Sequence, residues 1–259
     1  MKKLLISSIV ATALVLSFAN VNVFAQSSKA AIGNSSLAII SDSSAIATTS
    51  TETPWKTIMS ANIRTANDKG FAFDVALQTG IFTDTSVSSR KGAKATASAS
   101  GRVLVRVQVT PEGGDPGYAQ PSADIVKWAG PEDQPVINAD SGVTYDYRNQ
   151  LLEASFQGLC IDYSGDVPVL LEDCEFETVR FMLDTLQAHS FNFYYGLTDS
   201  GVYNIQVQTM LITDATGQDD EDAKGVASAR ALVGLGSMFV ENVRLVKGSG
   251  WDAPDIDLR

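Results

Sequence analysis

Residues 102–110 read RVLVRVQVT, with Val103, Val105, Val107 and Val109 at alternate positions and Arg102, Arg106 and Gln108 between them. Successive side chains of a strand point to opposite faces, so this pattern buries four valines on one side and leaves the polar groups on the other. A helix would scatter both kinds around its axis. The stretch is therefore expected to be a half-buried strand.

The same period recurs along the chain. In FAFDVALQTGIF, Phe71, Phe73, Val75, Leu77 and Ile81 share one face, with Asp74 and Gln78 on the other. VYNIQVQTMLI sets Tyr203, Ile205, Val207 and Leu211 against Asn204, Gln206 and Gln208, and SFNFYYGL repeats the scheme with Phe191, Phe193, Tyr195 and Leu197. Weaker alternation marks KTIMSANIRT, TYDYRNQLLEASF, ASARALVGL and SMFVENVRLVKG. Seven or eight antiparallel strands joined by polar loops imply an all-β fold, an antiparallel β-sandwich of jelly-roll type. One segment departs from period two. In EFETVRFMLDTLQ, from Glu175 to Gln187, Phe176, Val179, Leu183 and Leu186 are spaced by three, four and three. That spacing predicts one short amphipathic helix of about three turns, covering an open end of the sandwich.

The chain divides into three parts. Residues 1–25 begin with Lys2 and Lys3, continue in an apolar run from Leu4 to Phe18, and end in Val23-Phe24-Ala25. That is the layout of a secretory signal peptide, too short in its apolar part for a membrane-spanning helix of about 20 residues. Residues 26–53 contain 17 Ser, Thr or Ala among 28. They are expected as a linker or, because Leu37–Ile40 reads LAII, as an N-terminal strand that pairs with a sheet edge of its own or of a neighbour. Residues 54–259 are long enough for a single β-sandwich domain with its own core. Two long loops interrupt it, residues 111–142, with five of the chain's eight prolines, and residues 214–225.

Charge and residue inventory narrow the chemistry. Removal of the leader takes away two lysines and leaves 17 Lys and Arg against 30 Asp and Glu, a formal charge of about −13. A surface this acidic disfavours nucleic acid and anionic lipid as partners. His189 is the only histidine, its neighbour Ser190 points to the opposite face, and no Gly-x-Ser-x-Gly elbow is present, so a Ser-His or Cys-His mechanism lacks a base within reach of a nucleophile. No spacing of Cys and His suggests zinc, and no phosphate-binding loop is present.

Three chemistries remain. Paired carboxylates can hydrolyse glycosides, but no particular pair is indicated. Asp214, Asp219, Asp220 and Asp222 supply oxygen ligands of the kind Ca2+ takes, without the alternating pattern of a helix-loop-helix site, so a solvated acidic loop competes with a metal site. Asp162, Asp166, Glu172 and Asp173 form a weaker set of the same kind. Tyr118, Trp128, Tyr145, Tyr147 and Tyr194 offer rings that could stack on sugars, or could simply pack between strands.

These features imply a secreted, extracellular or surface protein, periplasmic if the host has two membranes. It is expected to be a non-catalytic structural or interaction subunit. The alternatives are a carbohydrate- or ligand-binding module and a carboxylate-dependent glycan-active enzyme. Self-association or an extracellular glycan supplies the partner, with no transmembrane segment in the mature chain.

Cys160 and Cys174, the only two cysteines, bracket thirteen residues and lack Cys-x-x-Cys redox spacing. In an oxidising compartment they are expected to form a disulfide, closing a loop that stabilises the fold by about 3 kcal/mol in the chain-entropy account. Mass spectrometry of the unreduced protein should show one linked peptide pair and no free thiol; two alkylatable thiols in the native protein would contradict the bridge.

Overall fold

The alternating strands pair edge to edge into two antiparallel sheets laid face to face. A computed structural model describes residues 30–35, 39–66, 69–122, 142–157, 161–162, 164–165, 167, 169–170 and 175–243. In chain order the strands are β1 (Ala30–Ser35), β2 (Ile39–Ala45), β3 (Thr48–Glu52), β4 (Lys56–Thr65), β5 (Lys69–Ser89), β6 (Lys94–Pro111), β7 (Gly117–Tyr118) and β8 (Gln120–Pro121). They continue with β9 (Val143–Ser155), β10 (Ile161–Asp162), β11 (Val169–Leu170), β12 (Glu177–Thr198), β13 (Gly201–Thr216), β14 (Gln218–Asp219) and β15 (Ala223–Val243).

In the first sheet β5 lies between β12 and β15, with β1 and β2 on the far side of β15 and β8 touching β12 at two residues. In the second, β13 pairs with β6, flanked by β3 and β4 on one side and by β9 and β7 on the other. β10 and β11 form a separate two-residue ladder. Residues 30–35 and 39–45 thus join the first sheet: β1 pairs with β15 from Ala30↔Glu241 to Ser35↔Gly236, and β2 with β15 from Ala45↔Ala227 to Ile39↔Val233.

The interior changes character along its length. At one end Phe71, Phe73, Phe193, Tyr203, Leu211 and the four valines of β6 interlock, with Tyr203 edge-on to Phe71 at 5.3 Å. At the other end the cluster consists of Val87 and seven alanines, among them Ala95, Ala97, Ala99, Ala227 and Ala229. Buried Thr83, Thr85, Ser89 and Thr213 line that end as well. Small side chains let the two backbones approach closely: a Cβ on Gly101 would stand 2.7 Å from Ile81 Cγ2, and one on Gly225 would run into the Thr96 carbonyl oxygen. A two-residue turn, Lys91 and Gly92 with φ of 55° and 75°, joins β5 to β6 across this thin end. Positive φ at both central residues is the geometry of a tight I′-type turn and suits glycine at the second.

Several polar groups inside the thin end are met by side chains of β9, while the Ser43 hydroxyl is buried without a partner among the described residues. Gln150 accepts from Thr83 Oγ1 at 2.6 Å and donates to Thr85 Oγ1 at 2.6 Å and to the Phe181 carbonyl at 3.0 Å. Thr79 donates to Asp146 and Arg148 donates to the Ile81 carbonyl, both at 3.1 Å. Pairing of this kind is what allows polar side chains to be buried without a large penalty.

The helix expected at Glu175–Gln187 is not formed. Those residues from Glu177 onward, together with SFNFYYGL, make the single 22-residue strand β12, paired with β5 from Glu177↔Ser89 to Tyr195↔Phe71 without a break. The apolar spacing that suggested a helix arises because β12 exposes large side chains on both faces, so its pattern was not set by one buried side. No helix is present among the described residues, and none there is long and apolar enough to cross a membrane.

Because the thin interior holds no spare volume, Ala99→Leu should destabilise the fold by about 1–3 kcal/mol or more through overpacking, while Ser98→Leu on the outer face should change it by less than about 0.5 kcal/mol. Urea denaturation of both variants distinguishes the two positions; equal stabilities would contradict the close approach of the sheets.

Candidate functional site

Strand β12 lies at the margin of the first sheet, and its register fixes what that margin presents. The amide of Ser122 donates to the Asn192 carbonyl, so the backbone groups of Asn192 point away from β5. Antiparallel strands alternate between residues bonded to one neighbour and residues bonded to the other. With the register unbroken, every even-numbered residue of β12 below Asn192 directs its N–H and C=O outward. β8 and Ser122 meet β12 only at Asn192, Phe193 and Tyr194. From Glu177 to Phe191 no other described strand pairs with this edge.

The same stretch carries large apolar side chains in the open. Phe181, Met182, Leu183 and Leu186 are 54, 58, 46 and 59% exposed. Phe181 and Leu183 share the parity of buried Phe193, so they point to the inner side, where β12 overhangs the second sheet. Met182 and Leu186 point to the outer side. On the same side Arg180 precedes Met182 and grips Asp84 with two hydrogen bonds of 2.9 and 2.6 Å, and the exposed Asp184 stands between Met182 and Leu186. The carboxylate beside it holds the Arg180 guanidinium above its ordinary pKa, chiefly through that hydrogen bond.

The outer face of the first sheet continues the apolar character. Ile40, Leu232, Gly80 and Leu186 lie side by side across four strands, with the Leu232 side chain resting over Gly80. Val226 and Phe239 are exposed on the same face. A shallow depression of about 300 Å³ lies between Asp84, Ser86, Arg180 and Val226–Ser228.

The outer face of the second sheet is different. Gln208 donates to Gln108, Gln206 to Asn204 and Asn204 to Asn62, at 2.6, 2.9 and 2.8 Å. Arg106 donates to Gln208 at 2.7 Å and lies over Trp55 and Tyr118, 4.2 and 4.6 Å from the ring centroids. This face spends its polar groups on itself. The β12 edge leaves both hydrogen bonds and apolar surface to be met from outside.

The residues singled out from the sequence do not converge. Tyr118 and Tyr147 are on the outer face of the second sheet, opposite Gln108 and Arg102, and half-buried Tyr194 is on the outer face of the first. Tyr145 is not a surface ring: it is fully buried and its hydroxyl donates to the Val75 carbonyl at 2.7 Å. A bulge in the β6–β9 ladder turns it inward, between the Asp146 and Thr144 pairings. Trp128 lies outside the described residues.

The four acidic candidates are each engaged separately or spread apart. Asp214 accepts from Ser100 at 3.1 Å, Asp220 accepts from Gln218, and Asp222 pairs with Arg90 at 2.6 Å. Asp219 sits in β14 opposite Lys224. No group of three or more His, Cys, Asp or Glu among the described residues is placed to hold a metal ion. Asp162 is in β10, whereas Asp166, Glu172, Asp173, Cys160 and Cys174 lie outside the described residues, as does the leader sequence. His189 is partly buried in β12 opposite Leu77, and its Nε2 is buried without a hydrogen-bond partner among the described residues, where a hydrogen-bonded structural histidine is the ordinary expectation. Sequence reasoning passed over Phe181 and Met182 and assigned Leu183 and Leu186 to the apolar face of a helix, although the absence of Lys and Pro throughout β12 was a visible sign of an unprotected edge.

Fold and edge together define an antiparallel β-sandwich with one long margin that no other described strand pairs. No protein-family model and no curated protein matches the chain. Among solved structures it is similar to chains from infectious bursal disease virus, Gx and Gt strains, at 8 and 10% identity over 80 and 84% of this chain, with TM-scores of 0.15 and 0.13. The chain spans about 40% of the length of those viral chains, and a likeness at this level bears on neither fold nor function here.

Burial raises the pKa of the Tyr145 phenol far above the ordinary tyrosine value of about 10. The folded state therefore keeps a proton that the unfolded chain loses, and the associated stability is present below about pH 10 and falls as pH rises beyond it. Urea midpoints of the wild type should drop between pH 9 and 11, and Tyr145→Phe should show a smaller drop. An identical pH slope in the two proteins would contradict the buried, neutral phenol.

Proposed function

We propose that this chain is a secreted, non-catalytic β-sandwich subunit that builds an extracellular or surface assembly by strand addition at β12. The observation that carries this reading is the edge from Glu177 to Phe191, which no other described strand pairs, with its four exposed apolar side chains. Unpaired edges invite pairing with another chain, and proteins that must stay apart blunt them with Lys, Pro, bulges or short strands.

The other margins follow that rule. β1, β2 and β3 have six, seven and five residues. β4 begins at Lys56 and is bulged against β13, and β9 is bulged against β6. β12 has 22 residues, neither Lys nor Pro, and an unbroken register with β5 to Tyr195. A long, regular edge with exposed apolar side chains is suited to main-chain recognition of an extended strand, with affinity from backbone hydrogen bonds and selectivity from side chains. The sequence supports export through its leader-like first 25 residues, and an acidic mature surface discourages indiscriminate association.

Light scattering across a concentration series should show mass above that of the monomer. The double variant Met182→Lys and Leu186→Lys should remain monomeric with an unchanged circular dichroism spectrum, because both side chains are already exposed. A wild type that stays monomeric throughout, or a variant that assembles as well as the wild type, would contradict the proposal.

A further inference from the structure

The charge pattern of the open edge selects its partner. We infer that β12 pairs antiparallel with β12 of a second copy, about a two-fold axis at Met182, so that Arg180 of each copy faces Asp184 of the other. This rests on the assembly reading and specifies its partner and register.

Backbone geometry restricts the choice. Even-numbered residues of β12 point their N–H and C=O outward, so self-pairing must place even residues opposite even residues. Centring on Met182 sets Met182 against itself, Arg180 against the partner's Asp184 and Thr178 against the partner's Leu186. Between them, Phe181 faces the partner's Leu183 and Val179 the partner's Thr185. Five such even pairs exchange about ten backbone hydrogen bonds, two per pair.

Neighbouring registers lose the charge match. Centring on Leu183 puts Arg180 against the partner's Leu186 and Asp184 against the partner's Met182. Centring on Asp184 or Arg180 sets like charges face to face, which is unfavourable across strands. Only the Met182 register faces opposite charges, and both groups are exposed enough to meet: Arg180 is 58% exposed even while it holds Asp84.

The surroundings accept this arrangement. The paired segment runs from Glu177 to Gln187, short of Asn192, where Ser122 and β8 occupy the edge. On the inner side, Phe181 and Leu183 of both copies would come together beneath the joined strands, beside β9, whose Gln150 already reaches the Phe181 carbonyl. On the outer side, Met182 and Leu186 would extend the apolar row through Gly80, Leu232 and Ile40 across the seam. A two-fold interface is self-complementary and closes, so the product is a defined dimer with one continuous sheet.

Cysteine placement tests the register directly. Met182→Cys should form a covalent dimer under mild oxidation, with the unmodified protein as the control for Cys160 and Cys174. Thr178→Cys and Leu186→Cys should each stay uncrosslinked alone, and the double variant should crosslink. Asp184→Arg should raise the dimer dissociation constant at least about tenfold, because it sets arginine against Arg180, while leaving the melting temperature of the monomer unchanged.

If the protein assembles, is dispersed by lysine at Met182 and Leu186, but fails to crosslink at Met182, the edge is used and this register is wrong. Open filaments in place of dimers would mean that another segment of a neighbouring copy occupies the edge. A monomer at all concentrations, with Met182→Cys uncrosslinked, would mean that a segment of the same chain or a different protein covers it, and self-pairing and self-assembly both fail.

Discussion

Strand β5 is hydrogen-bonded along nearly its whole length on both sides, to β12 from Gly80↔Leu186 outward in each direction and to β15 from Ser89↔Ala223 to Gly70↔Val243. Its inner face meets the second sheet, with Phe71, Phe73, Val75 and Leu77 at one end and Thr79, Thr83, Thr85 and Ser89 at the other. That single strand sets the thickness of the sandwich. Large residues hold the sheets apart at the first end, and small hydroxyl and methyl side chains draw them together at the second. The consequence for β12 is that it is held along one edge by a buried neighbour in unbroken register from Glu177 to Tyr195.

Much of this architecture could be read from the chain. The valines of RVLVRVQVT are all buried in β6, and Ile205, Val207 and Leu211 of VYNIQVQTMLI are all buried in β13, because one face of each strand had to be covered. The thin end was harder to read. In KATASASG and AKGVASARA the inward residues are alanine or glycine, and Thr96, Ser98, Ser100, Val226 and Ser228 stand among the outward ones, so hydrophobicity alternates weakly although burial alternates throughout. β12 misled for the opposite reason. Apolar residues on both of its faces create a three-and-four spacing by chance, and only pairing with β5 shows that each face belongs to a strand.

The site was less legible than the fold. Aromatic content pointed to Tyr118, Tyr145, Tyr147 and Tyr194, yet a bulge that no local pattern announces turns Tyr145 into the core. Trp55 acquires a role only because β4 and β6 both flank β13, which brings the indole under the Arg106 guanidinium. Acidic density in residues 214–222 was real, but Arg90 and Ser100 from distant strands take up Asp222 and Asp214, and the nearby Gln218 takes up Asp220. Open edges are a property of pairing, which a one-dimensional pattern does not contain. What the sequence does contain is the absence of Lys and Pro from β12, and this acquires meaning once the strand is seen at the margin.

Two outer faces with unlike chemistry follow from the same scaffold: an amide and arginine lattice closed on itself on one sheet, and an apolar face running out to an unpaired edge on the other. The account turns on whether the outward backbone groups of β12 are met by another strand. Residue-level hydrogen exchange measures this directly. In dilute monomer, the amides of Arg180, Met182, Asp184 and Leu186 should exchange quickly while those of Phe181, Leu183 and Thr185, bonded to β5, exchange slowly. At concentrations where mass increases, the even-numbered amides should become as slow as their neighbours, with β13 unchanged. Even-numbered amides that are already protected in the monomer, or that stay fast in the assembly, would contradict it.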